Sequence, residues 1–211
     1  TLVGLLLCEI LSRLFLNPAD YLSASMEKHE ILGRAITPKS AGFDDWGFRN
    51  KAVPEQVDIV AIGDSHTYGN TAKMEESWPH VLGNLTGKSV YNMGMGGYGP
   101  NQYNYLLKSK AIHLRPRIIL CGVYMGDDFE NAFTITYGLD YWIYLRQGQY
   151  SGSDPDIWKA QDDGRWFRNI RAWLSQNSLL YQLVVHGPIL GNIKGGFQIQ
   201  RAADRRDEYT T

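Results

Sequence analysis

Short apolar runs alternate with amphipathic segments through the middle of the chain. Residues 57–62 are apolar at five of six positions, and similar runs occupy residues 89–94 and 117–124. Between them, residues 77–87 and 100–114 place apolar side chains three and four positions apart, which is the spacing of one helix face. Strands that alternate with helices in this way predict a parallel sheet with helices on both faces.

The first sixteen residues are the most hydrophobic part of the chain. Eleven of the fifteen residues 2–16 are apolar, but a membrane-spanning helix needs about 20 residues. We interpret residues 1–16 as the remnant of a membrane anchor or as an interfacial helix, with a core helix as the third alternative. Residues 17–54 are interrupted by proline and glycine, which predicts an irregular linker ahead of the domain.

Residues 55–211 are long enough for one α/β domain. Within them, residues 132–164 lose the alternation and are rich in Tyr, Trp, Gly and Asp, which predicts an insertion over one end of the sheet. Residues 165–185 resume a helical pattern. Three strands are fewer than a doubly wound sheet generally has, so we expect the domain to be incomplete by one or two strands.

Charge and cysteine content narrow the classes of partner. The chain has 21 basic and 22 acidic residues and a net charge of −1, which gives no electrostatic reason to expect nucleic acid binding. Its two cysteines, Cys8 and Cys121, form neither a disulfide framework nor a metal-binding pattern. Because Cys121 lies in an apolar run, we expect it to be a small buried side chain.

Candidate chemistry is concentrated where the three predicted strands end. The first strand ends in Gly63-Asp64-Ser65, the second in the glycine-rich stretch 92–99, and the third in residues 122–131, which contain an Asp-Asp pair. In open parallel sheets, ligands bind beyond the carboxyl ends of the strands. We therefore expect a hydroxyl, a glycine-rich backbone and two carboxylates to meet in one cleft.

Three stretches at these strand ends resemble a known family. GDSHTYG, YNMGMGGYGPNQY and GVYMGDDFEN are similar to the first three sequence blocks of the SGNH/GDSL hydrolase superfamily, especially its membrane-anchored or secreted bacterial branch. The resemblance extends over about residues 1–131. It implies a three-layer, doubly wound, flavodoxin-like sheet and a membrane-tethered serine esterase or acyl hydrolase on the extracytoplasmic, periplasmic face, without a cofactor.

The resemblance also assigns roles to single residues. Ser65 matches the nucleophile, and the backbone N–H groups of Ser65 and Gly97 match donors of the oxyanion hole. Asp127 occupies the position at which the family usually has an asparagine that donates to the oxyanion. The further residues expected to contact the substrate are Asp64, His66 and Asp128.

Two departures from the family pattern leave a second hypothesis open. An ionised Asp127 accepts hydrogen bonds but cannot donate one to an oxyanion. None of the five histidines has an aspartate three residues before it, so the late Asp-x-x-His block that supplies the family's base is not found. The alternative is a non-catalytic subunit of the same fold that docks to integral membrane proteins. Adjacent Asp127 and Asp128 are too weak a pattern to predict a metal site, and a nucleotide site at residues 94–99 has similarly weak support.

Overall fold

The computed structural model describes residues 2–146 and 166–186, which belong to two compact units. The larger unit contains the described residues from 24 to 146, and the smaller contains residues 2–23 together with 166–186. Part of the predicted insertion, residues 132–146, is helical. Its remainder lies outside the described residues.

The regular elements follow the predicted alternation of strands and helices. The strands are β1 (Met26–His29), β2 (Gly33–Ile36), β3 (Ile59–Gly63), β4 (Val90–Gly94) and β5 (Ile118–Gly122). The α-helices are α1 (Leu2–Phe15), α2 (Pro18–Tyr21), α3 (Ser65–Tyr68), α4 (Trp78–Thr86), α5 (Pro100–Ser109), α6 (Asp128–Gly138), α7 (Trp166–Asn177) and α8 (Leu179–His186). Short 3₁₀ turns occupy Ser40–Gly42, Met74–Glu76, Ala111–Leu114 and Asp140–Leu145.

A three-stranded parallel sheet in the order β4-β3-β5 forms the centre of the larger unit. All five residues of β3 are buried, as expected for an apolar strand between two neighbours. The strands end in register, with Gly63 opposite both Gly94 and Gly122. The predicted mixed α/β class is therefore confirmed. Strands β1 and β2 form a separate antiparallel hairpin.

Strand β5 differs from its predicted environment. Ile118 and Ile119 are 51% and 37% exposed, and Cys121 is exposed although its apolar run suggested burial. The reason is position: β5 pairs only with β3, and within the described residues no strand covers its outer edge. An apolar run predicts a strand, but its burial depends on neighbours that lie elsewhere in the sequence.

A buried polar network attaches the segment before β3 to strand β4. The Asp44 carboxylate accepts hydrogen bonds from the Tyr91 hydroxyl at 2.7 Å and the Asn50 amide at 3.1 Å. The Asn50 side chain also donates to the Asn92 carbonyl at 2.9 Å and accepts from the Asn92 N–H at 3.0 Å. The Asn50 side chain thereby bonds to Asn92 as a residue of a neighbouring strand would. It satisfies two backbone groups on the outer edge of β4.

The end of the sheet is shaped by close packing of α3 against the three in-register glycines. A Cβ added to Gly63 would collide with the Thr67 hydroxyl, and one added to Gly122 would lie 2.7 Å from it. At Gly94 the added atom would meet the backbone nitrogen of Tyr68. Thr67 itself is only 1% exposed. Glycine at all three strand ends therefore allows the backbone of α3 to lie directly on the sheet.

The smaller unit is organised around a carboxylate that caps a helix. The Glu9 carboxylate on α1 accepts hydrogen bonds from the N–H groups of Leu179 and Leu180 and from the Ser178 hydroxyl, at 2.9–3.1 Å. It also pairs with Arg13 at 2.8 Å. The carboxylate thus satisfies free N–H groups at the start of α8, where negative charge is favourable.

Helix α1 turns polar side chains toward its own unit and leaves apolar side chains exposed. None of its residues is buried. Its large apolar side chains are 47–86% exposed, and they are Leu2, Val3, Leu5, Leu6, Leu7, Ile10, Leu11, Leu14 and Phe15. Across residues 2–146 and 166–186, no helix combines the length and the hydropathy needed to cross a membrane.

We predict that Gly122→Ala lowers the free energy of unfolding by about 1–3 kcal/mol, because the new methyl group overpacks against Thr67. In a Thr67→Ala background the effect should fall well below that range, since the next atom is 3.8 Å from the added Cβ. Urea denaturation of the four proteins in this double-mutant cycle measures the coupling. Gly94→Ala is the control: its clash is with backbone, so Thr67→Ala should not relieve it.

A second prediction concerns the cap of α8. Burial raises the pKa of Glu9, but hydrogen bonds from Leu180, Leu179, Ser178 and Arg13 outweigh it, so the pKa is lowered overall. Because a lowered carboxylate pKa stabilises the folded state above the unfolded pKa, this contribution should be lost as pH falls through the folded pKa. Glu9→Gln should speed amide hydrogen exchange at Leu179 and Leu180 near neutral pH. Equal exchange in the variant and the parent protein would contradict the assignment.

Candidate functional site

A one-turn helix presents the candidate nucleophile at the end of β3. Asp64 is 2% exposed and caps α3, because its carboxylate accepts the His66 N–H at 2.9 Å. Ser65 is the first residue of the helix and is partly exposed. Gly69 ends the helix in a left-handed conformation, with φ +81°. The end of β3, the Asp64 cap and the stop at Gly69 together place Ser65 at the edge of the sheet.

The turn after β4 lies against Ser65. The Met95 N–H donates to the Gly63 carbonyl at 3.0 Å, which continues the parallel pairing beyond the strands. A Cβ added to Gly96 would lie 3.6 Å from the Ser65 Cβ, so the backbone of Gly96 lies close to the serine. Gly97 has φ +76°, a conformation that favours glycine.

The loop after β5 brings two further carboxylates to the same edge. Asp127 is exposed and Asp128 is buried, and both follow the strand end at Gly122. One carboxylate oxygen from each of Asp64, Asp127 and Asp128 lies within 4.8 Å of the others. The structure therefore brings the predicted site residues of the β3 and β5 ends together, and Gly96, the neighbour of Gly97, lies close to Ser65.

His66 is bound to Asp64 and faces solvent. Its Nδ1 lies 2.9 Å from Asp64 Oδ2, its ring lies 4.4 Å from the Tyr124 ring, and its side chain is 64% exposed. The hydrogen bond with Asp64 raises the pKa of His66, and the charges of Asp64, Asp127 and Asp128 raise it further. The imidazolium form is thereby favoured and offsets part of the negative charge at this edge.

Asp128 holds the loop in place from inside the protein. It is fully buried, and its Oδ2 accepts the Tyr103 hydroxyl at 3.0 Å and the Tyr124 N–H at 2.9 Å. Burial raises the pKa of Asp128; these two hydrogen bonds oppose the shift, and the charges of Asp64 and Asp127 add to it. With no exposed surface, Asp128 orders the loop that carries Asp127 rather than lining the surface beside Ser65.

The three carboxylates offer the oxygen ligands that divalent cations prefer. Both oxygens of Asp64, however, already accept bonds from neighbours: Oδ1 from the His66 N–H, and Oδ2 from His66 Nδ1 and from the Ser65 hydroxyl at 3.4 Å. The charge of Asp64 is therefore already compensated by a side chain of the protein. We assign no metal to the cluster.

Arg34 is a site neighbour that the strand-end motifs did not indicate. Its guanidinium Nη2 donates to the Gly96 carbonyl at 3.0 Å, and a Cβ on Gly97 would collide with the same nitrogen. Arg34 comes from β2, 62 residues earlier in the chain than Gly96. No local spacing in the sequence could have linked the two positions.

Comparison with protein-family models, curated proteins and solved structures gave no match.

We predict that Asp64→Asn lowers the pKa of His66 toward the ordinary value of about 6.5. Asparagine retains an oxygen that can cap α3 but removes the charge that favours the imidazolium. The folded-state pKa of His66 is raised, so its contribution to stability is present below the unfolded pKa and is lost as pH rises through the folded pKa. NMR titration of the His66 ring measures the shift. Asp127→Asn is the comparison variant, for which we expect a smaller change.

Proposed function

We propose that this chain is an ester or acyl hydrolase domain of the SGNH/GDSL type, with Ser65 as the nucleophile and a flavodoxin-like, doubly wound fold. The main support is convergence: Gly96 lies close to Ser65, and the carboxylate of the adjacent Asp64 is within 4.8 Å of Asp127 and Asp128. Three strand ends with these residue types in one place are what the family resemblance requires. Small esters, including acetylated glycans, are the substrate class.

In the proposed reaction the Ser65 hydroxyl oxygen attacks the ester carbonyl carbon, and the alcohol leaves to form an acyl-enzyme that water then hydrolyses. The serine proton must pass to a base. Within the described residues, the only hydrogen-bond partner of the Ser65 hydroxyl is Asp64, which is itself bound to His66. We therefore assign the Asp64 carboxylate as the proton acceptor, with the His66 ring as its hydrogen-bond partner. Backbone N–H groups of Ser65 and Gly97 stabilise the oxyanion in this proposal.

A non-catalytic docking subunit is the second candidate, and the surface around β5 favours it. Apolar side chains on β5 and the loop and helix that follow are exposed to 47–74%, and they are Ile118, Val123, Met125 and Phe129. Exposed apolar groups of this kind are typical of surfaces that contact other proteins. Integral membrane proteins are the proposed partners under this alternative.

Membrane association is proposed for either function. Helix α1 exposes nine large apolar side chains, whereas its polar residues Glu9 and Arg13 bond to Leu179, Leu180 and Asn177 of the same unit. A helix with exposed apolar side chains, and with polar side chains that form hydrogen bonds within its own unit, suits a position in a lipid interface. An extracytoplasmic, periplasmic location is part of this proposal.

The hydrolase proposal predicts that the purified protein hydrolyses 4-nitrophenyl acetate. Ser65→Ala should lower kcat/KM by about a thousandfold or more, because the variant lacks the nucleophile. Release of 4-nitrophenolate measures the rate. Ser109→Ala is the matched control: this serine lies at the far end of α5 and bonds to the Tyr105 carbonyl. Absence of turnover in the folded parent protein would favour the docking subunit instead.

A further inference from the structure

A small cavity opens beside the proposed site. It has a volume of about 180 Å³ and is bounded by Gly97 on one side. Its polar lining comes from β2, α5 and α6 and consists of Arg34, Gln102, Asn131 and Thr134. A space of this size accommodates several water molecules or an acyl group of a few carbon atoms. Its position next to Gly97 suits a subsite for one part of a substrate.

The charge of this cavity is opposite to that of the neighbouring carboxylates. Arg34 is the one charged residue in its lining, which contains no acidic residue. Arg34 is exposed and forms no ion pair with any carboxylate of the described residues, and its cross-strand neighbour on β1 is another cation, Lys28. One guanidinium N–H bonds to the Gly96 carbonyl, and a guanidinium has five such donors.

The lining also contains a donor without a partner. The side-chain nitrogen of Asn131 is buried and makes no hydrogen bond within the described residues. A buried amide without a partner is unfavourable, so such a group calls for a ligand or a neighbour that supplies an acceptor. Gln102 and Thr134 add further hydrogen-bonding groups around the same space. A cation and amide donors together match a ligand rich in acceptor oxygens.

We propose that this cavity is an oxyanion subsite in which Arg34 binds a carboxylate, or another small oxyanion, of the substrate. The term substrate rests on the hydrolase function proposed above, whereas the binding itself does not. The subsite would select esters that carry a negative charge a few atoms away from the scissile carbonyl. Arg34 suits this role because its planar fork matches the two oxygens of a carboxylate.

Calorimetry tests this subsite. It measures how tightly the purified chain binds succinate, its neutral analogue succinamide, and inorganic phosphate. We expect succinate to bind at least about tenfold more tightly than succinamide, since a charge-assisted bond is lost in the diamide. Arg34→Gln should weaken succinate binding by a similar factor. Lys28→Gln is the control, because it removes an equal charge from the paired position on β1 but lies outside the cavity lining, and it should weaken binding far less than Arg34→Gln.

Two further variants separate binding from folding. Arg34→Lys keeps the charge and should retain part of the affinity, and Asn131→Leu leaves Arg34 in place while it removes the amide donor. If phosphate binds as tightly as succinate, the cavity is a general oxyanion site. If succinate binds and phosphate does not, the cavity is a carboxylate site. Equal affinity for succinate and succinamide, no binding at millimolar succinate, or unchanged affinity in Arg34→Gln would overturn the proposal.

Hydrolysis rates distinguish failure of the subsite from failure of the proposed function. If the subsite is correct, kcat/KM should be higher for mono-4-nitrophenyl succinate than for 4-nitrophenyl acetate, and Arg34→Gln should remove that preference. Turnover without preference for the charged ester overturns the subsite and leaves the hydrolase intact. Succinate binding that depends on Arg34, without turnover of either ester, supports the subsite and counts against the hydrolase.

Discussion

The close approach of helix α3 to the sheet is the constraint on which the candidate site depends. Gly63, Gly94 and Gly122 stand side by side at the strand ends, and Thr67 and the start of Tyr68 occupy the space that side chains would need. Because α3 is only one turn long, its position on the sheet determines where its first residue lies. The three glycines therefore act together to place Ser65, although none of them takes part in the proposed chemistry.

Negative charge at this edge is balanced by neighbours rather than by solvent alone. Asp64 is buried, but its two oxygens cap α3 and bind His66. Asp128 is buried as well, and its hydrogen bonds with Tyr103 and Tyr124 order the loop before α6. Asp127 is left as the exposed member of the group. Two of the three carboxylates thus have structural tasks.

Local patterns predicted much of the larger unit, and long-range contacts account for what they missed. Strands β3 and β4 and helices α4 and α5 lie close to the expected positions, because alternation and glycine stops are local signals. The exposure of Cys121 was not predictable, since it depends on which strand lies beside β5. Likewise, Asn50 forms hydrogen bonds with Asn92, which lies 42 residues later in the chain. The spacing of residues within either segment does not predict this contact.

The turn at Gly96 and Gly97 has neighbours of opposite charge, and this arrangement bears on the proposed chemistry. On one side lie Ser65 and the carboxylates; on the other, Arg34 donates to the turn itself. An exposed Asp127 disfavours an oxyanion nearby, whereas the imidazolium of His66 favours it. In the superfamily that the sequence resembles, an asparagine supplies a neutral donor at the position that corresponds to Asp127. In the proposed hydrolase the N–H groups of Ser65 and Gly97 therefore stabilise the oxyanion against the charge of Asp127, which the His66 imidazolium partly offsets.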